Sequence, residues 1–350
     1  MFGASSSART RASKTSPIVS PSSSIRSLVR SAGKFYTFRN FGATSPGTVR
    51  WSDRECAGFG CTRLFQRIRI VGSAGRESRL STGARVVGDV TLEVLEQGDG
   101  PALLFLHGED GHAFTTPVIE QLAADFRVIA PTHPAWEGST RPDHIEDVRD
   151  IASVYVELIE QLDEPPIVLG CSLGGWIAAE LAVQARDLIA GLILVSPVGV
   201  KLGDRETRDF VDLWVLDFAD LIAINYRDAS HAPDMTALTE ADYQYLAVAS
   251  EATARYCWKP YMHDPKLRHR LRRVAVPSLV VNGGADAFTL LSGYFDRYGA
   301  LIGSGAARLE LPQAGRRIEE EEPAELARIV REFAVGVTNE SAAVAAGKGR

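Results

Sequence analysis

The chain has 350 residues, of which 45% are hydrophobic and 23% charged, with a formal net charge of −6. That length buries a sizeable core, as one large domain with an insertion or as two domains, and the composition is that of an ordinary globular protein. It excludes two classes early: no apolar run is long enough to span a membrane, since the longest, Leu188 to Val200, is short and contains Pro197, and four cysteines (Cys56, Cys61, Cys171, Cys257) make neither a disulfide framework nor a metal site.

Residues 1–52 hold eight basic residues and no Asp or Glu, so the remainder carries 30 basic against 44 acidic residues. An acidic body argues against a nucleic-acid partner. The leader, residues 1–83, is expected to lack a packed structure, because its Ser/Thr/Arg-rich composition cannot bury enough apolar surface to offset the entropy of ordering. Its first 52 residues match an organellar transit peptide and equally a functionless extension, so the expected location is cytoplasmic, or organellar if the leader is a targeting signal.

Order is expected from Ala84. Val90, Leu92 and Val94 alternate with Thr91 and Glu93, the period of a half-buried strand. Leu103–Leu106 reads as a buried strand ending in His107-Gly108-Glu109-Asp110-Gly111. A helix over 117–124, a strand over 127–130 and the loop 132–138 follow, then a helix over 146–162 with Val148, Ile151, Val154, Leu158 and Leu162 at helical spacing. Pro166 to Leu169 opens a short apolar run of strand formers that ends in Gly170-x-Ser172-x-Gly174, and a helical pattern rich in small residues follows at once. A serine on so tight a strand-to-helix turn needs glycines at both flanks, and the turn presents its hydroxyl beside the amide of Leu173 at the helix N-terminus. A strand over 192–195 completes the alternation, which predicts a mostly parallel, doubly wound α/β sheet.

The strand rhythm stops over 199–272, where Phe210, Leu213, Trp214, Phe218, Tyr243, Tyr245, Leu246 and Trp258 give an aromatic-rich stretch, expected to be a cap over the carboxyl edge of the sheet. The sheet resumes at Ser278–Val281 and ends with Ala307–Leu311 and a helix from Pro323, whose first-turn proline suits a helix start. The expected core is therefore 84–198 and 273–336, with 337–350 a flexible tail.

These residues resemble the α/β-hydrolase superfamily over roughly 84–336, closest to its cap-bearing esterases and carbon–carbon-bond hydrolases. The resemblance implies Ser172 as nucleophile, Asp286 after its strand as the triad acid, and an oxyanion hole made by the amides of Leu173 and Glu109. It also implies a Gly-His pair a few residues before the Glu322-Pro323 that opens the last helix. Here Gly315 is followed by Arg316. A guanidinium accepts no proton, and a serine without a base is a poor nucleophile. Arg316 is expected either to pair with Asp286 or to recognise the acid group of a ligand.

A substitute base could come from another histidine, first His133 in the loop at the sheet edge, then His112, then His263; His144, His231 and His269 sit in polar stretches. The implied function is an enzyme acting through Ser172 on an ester or carbon–carbon bond of a small, partly apolar carbonyl compound, with hydrolysis impaired or rerouted. The alternative is an inert ligand-binding protein of the same fold. No cofactor motif and no metal site are read in the sequence.

Overall fold

The computed structural model describes residues 81–347. The expectations for residues 1–80 lie outside the described residues.

Among the described residues, eight strands form one sheet in the order β1-β2-β4-β3-β5-β6-β7-β8. They are β1 (Ser81–Val87), β2 (Val90–Gln97), β3 (Ala102–Leu106), β4 (Arg127–Pro131), β5 (Ile167–Cys171), β6 (Gly191–Val195), β7 (Ser278–Gly283) and β8 (Ala306–Leu311). From β4 through β8 every pairing is parallel, while β1 and β2 join antiparallel at one edge. The first strand begins at Ser81, three residues before order was expected. Its first six residues are at most partly covered, so no apolar alternation marked it.

Strand periodicity sorts the core into two layers. Leu104 and Leu106 of β3 pack on one face with α2 (Val148–Glu160), α3 (Leu173–Gln184) and α7 (Tyr294–Gly299). Leu103 and Phe105 point to the other face, against α1 (Thr116–Leu122), the short α8 (Ile318–Glu321) and α9 (Pro323–Gly347). Because successive strand side chains alternate and both faces are covered, the central strands are apolar throughout. α3 is buried almost all round, as its alanine-rich sequence allows, and its one buried acid, Glu180, meets Arg270. Helix α9 continues to Gly347, whereas a flexible tail was expected from 337; Ala-rich residues propagate a helix at little cost.

Between β6 and β7 lie α4 (Phe218–Asn225), α5 (Glu240–Cys257), the short α6 (Leu267–Arg270) and several 3₁₀ turns. Asp217 caps α4 by accepting from the Asp220 amide, and Thr239 with Asp242 forms a capping box on α5. Phe210 leaves the cap to stack on Phe288, with ring centres 5.3 Å apart, while Tyr243 and Trp258 stay exposed. Among the described residues no helix is long and apolar enough to cross a membrane.

Candidate active site

Ser172 stands between β5 and α3 with φ 49° and ψ −107°, a sparsely populated conformation that costs a non-glycine residue about 1–3 kcal/mol. The turn is possible because its neighbours lack side chains. A Cβ on Gly170 would lie 2.2 Å from the carbonyl oxygen of Gly174, and one on Gly174 would lie 2.1 Å from that of Leu106. The Ser172 amide donates to Val195 in the adjacent strand at 2.8 Å, which anchors the turn to the sheet. Leu173 opens α3, so its N–H has no acceptor within the helix and is left beside the serine.

The loop after β3 brings Glu109 over that turn. Its carbonyl accepts from the Trp136 indole at 3.0 Å and from Thr253 of α5 at 3.2 Å, so core and cap both hold it. Its carboxylate accepts the Ser172 hydroxyl at 2.7 Å. Arg316 completes the cluster from the loop after β8. Its Nη2 donates to Glu109 at 2.6 Å and to the Ser172 oxygen, and its Nη1 donates to Asn225 of α4 at 2.8 Å. The guanidinium lies 4.1 Å from the centre of the Phe288 ring, an attractive cation–π placement. Burial would raise the pKa of Glu109, but the charges of Arg316 and Arg317 and the Ser172 hydrogen bond outweigh it and hold the carboxyl below its ordinary range.

Asp286 does not pair with Arg316. Its oxygens accept from the amides of Phe288 (2.9 Å) and Thr289 (3.1 Å) and from the Thr289 hydroxyl at 3.0 Å. Burial pushes its pKa up, against the nearby charge of Arg316. The arginine takes Glu109 instead because the loop after β3 carries that carboxylate to it, whereas the local turn already occupies Asp286.

His133 is not brought to Ser172 either. Its Nε2 faces the His107 carbonyl at 3.0 Å and its Nδ1 faces the Tyr155 hydroxyl at 2.5 Å, so both nitrogens serve the core. Burial pushes its pKa down to about 3, which makes the neutral ring the stable form. His112 bonds to Thr115 and to the Pro131 carbonyl, and burial pushes its pKa down to about 4. His107 meets His112 edge-on and His133 at a tilt, and the three rings form an uncharged cluster at the loop after β3.

A cavity of about 270 Å³ lies under the cap. Trp214, Phe218 and Leu246 are among its apolar walls, and Glu109, Asp110, Asn225, Arg316 and Arg317 form its polar end. Ser172 is 3% exposed and does not face this space, because Glu109 and Arg316 stand in between. Sequence reasoning assigned Glu109 only its amide and missed Asn225, Arg317 and Phe288. Among the described residues no group of three or more His, Cys, Asp or Glu side chains is placed to hold a metal ion.

An eight-stranded, mostly parallel sheet with a serine on a strand-to-helix elbow beneath a helical cap defines an α/β-hydrolase architecture. Residues 103–329 match the family described as Alpha/beta hydrolase family, and the chain belongs to it. A probable 1-acylglycerol-3-phosphate O-acyltransferase of Oryza sativa subsp. japonica is 29% identical over 134 residues, 36% of this chain and 32% of that protein. A pimeloyl-[acyl-carrier protein] methyl ester esterase of Vibrio parahaemolyticus is 34% identical over 100 residues, 28% of this chain and 38% of that one. The chain thus spans about a third of the length of these relatives. Solved structures share the fold: a bacterial membrane phospholipase A (TM-score 0.61, 21% identity, 74% of this chain and 87% of that one) and a meta-cleavage product hydrolase (TM-score 0.61, 20% identity, 73% and 98%).

Proposed function

We propose that this chain acts on an ester or carbon–carbon bond of a small, partly apolar carbonyl compound through Ser172, with hydrolysis slowed or rerouted because Arg316 stands where a base is needed. The observation that carries this reading is the elbow itself. A serine held at φ 49° beside the free amide of Leu173 is strain retained at a place where it presents a hydroxyl to a reacting carbon. The amides of Leu173 and Glu109 are the proposed oxyanion donors; losing one such donor costs roughly 10²–10³ in rate. Asp286 is the proposed triad acid. The apolar cap cavity suits the non-reacting part of the substrate. The domain division follows the same reading: 84–198 and 273–336 form the catalytic core, and 199–272 the cap.

A covalent phosphonate probe tests it. Slow, stoichiometric labelling of Ser172, absent from Ser172→Ala, is expected; no adduct after prolonged exposure would sink the nucleophile role. One observation favours a second reading, an inert ligand-binding protein: Glu109 and Arg316 separate Ser172 from the cavity.

A further inference from the structure

The polar end of the cap cavity contains two buried guanidiniums and a carboxylate that is unevenly shared between them. Glu109 gives one oxygen to Arg316 and Ser172, at 2.6 and 2.7 Å. Its other oxygen, Oε2, is buried without a hydrogen-bond partner and lies 3.9 Å from Nη2 of Arg317. The Nε atoms of Arg316 and Arg317 are also buried and unpartnered, and both residues are at most 6% exposed. Buried polar atoms normally find partners, so the three orphans mark Glu109 as imperfectly seated between the two guanidiniums, with an unmatched acceptor on one side and unmatched donors on the other.

We propose that the seat now filled by Glu109 is a carboxylate-binding site, and that the cavity takes a monocarboxylate with an apolar tail, whose head displaces Glu109 from Arg316 and Ser172 onto Arg317. This rests on the cavity being the ligand pocket and on neither reading of Ser172. An acid is both the product of ester cleavage and a ligand that an inert protein could hold.

The exchange is like for like. The head group would inherit the Nη2 donor of Arg316 and the Ser172 hydroxyl, the partners that the glutamate carboxylate satisfies now. Arginine's planar fork suits a carboxylate in either position. Glu109 has a short way to go, since Oε2 already lies within 3.9 Å of Arg317. Arg317 has room for it. Its Nη2 pairs with Asp110, which is partly exposed to solvent, its Nη1 lies 3.3 Å from the buried Glu320, and its Nε has no partner. The tail would run between Leu213, Trp214, Phe218 and Leu246. A neutral head group gains nothing from the exchange, because removing Glu109 would strand the buried charge of Arg316.

Calorimetric titration of the full chain with octanoate and with octanol tests the proposal. Octanoate is expected to bind at least about tenfold tighter than octanol, a preference that Arg316→Met should erase. Glu109→Gln removes the internal competitor and should tighten octanoate by at least about tenfold, as expected when the binding-competent fraction rises. Equal affinities for the acid and the alcohol in the unmodified protein, a preference that survives Arg316→Met, or a Glu109→Gln variant that binds octanoate no tighter would each overturn it. If Glu109→Gln fails to fold, the ratio measured on the unmodified protein decides alone. Phosphonate labelling of Ser172 can succeed or fail without moving that ratio, so the two readings fall separately.

Discussion

Glu109→Gln is the perturbation whose size the structure sets most directly. The side chains of Arg316 and Glu109 are 1% and 7% exposed, so the substitution leaves a buried guanidinium without its counter-ion. Breaking a buried pair from one side costs about 3–5 kcal/mol. Arg316 keeps its hydrogen bond to Asn225 and the face of Phe288, and glutamine retains an acceptor, which points to the lower end of that range. At roughly 2–4 °C per kcal/mol for a body of this size, Tm at pH 7 should fall by about 6–12 °C. Adding Arg316→Met removes the stranded charge, so the double variant should be more stable than the sum of the singles predicts, with a coupling of about 0.5–3 kcal/mol. The pH dependence has a defined sign. A carboxyl held below its ordinary value stabilises the fold above about pH 4.3, and that stability is lost as pH falls through the lowered value. The gap between variant and unmodified protein should therefore close in acid. Thermal unfolding of all four proteins gives the answer. Single-variant losses under about 1 kcal/mol with no coupling are what an exposed pair gives, and would refute a buried clamp.

Glu180, pushed up to about 7 by burial despite Arg270, gives the opposite pH sign. A raised carboxyl stabilises the fold below its ordinary value of about 4.3 and loses that contribution as pH rises through 7, so Glu180→Gln should gain on the unmodified protein in unfolding free energy between pH 5 and pH 8, by up to a few kcal/mol at about 1.36 kcal/mol per unit; a pH-independent difference would contradict the assignment. Gly174→Ala places a Cβ 2.1 Å and 2.4 Å from the carbonyl oxygens of Leu106 and His107, backbone atoms that cannot swing aside. Overpacking of this kind costs about 1–3 kcal/mol or more, and an unchanged Tm would show that the elbow is looser than described.

The sheet was legible because buried parallel strands are continuous apolar runs with turn residues between them, as in Leu103–Leu106 and Ser278–Val281. The elbow was legible because sterics dictate Gly170 and Gly174. The edge strand β1 was not read from its start at Ser81, since its exposed residues carry no pattern. The Glu109–Arg316 contact was unreadable for a different reason: it joins residues 207 apart, and only the folded sheet brings the loops after β3 and β8 together. The histidines show the same limit. His133 sits at the expected sheet edge, yet its ring turns inward to Tyr155 and His107, an orientation that local sequence does not encode.

The proposed function rests on a triad frame in which Ser172 and Asp286 remain and Arg316 stands in place of the histidine base. Arg316→His tests it most directly, assayed as turnover of a small activated ester. General-base help by a positioned histidine is worth about 10²–10⁴, so a gain of at least about 10² is expected, abolished by adding Ser172→Ala and rising with pH through a single ionisation near the unperturbed value of about 6.5. A folded Arg316→His protein that leaves the ester untouched and takes no phosphonate at Ser172 would contradict the claim.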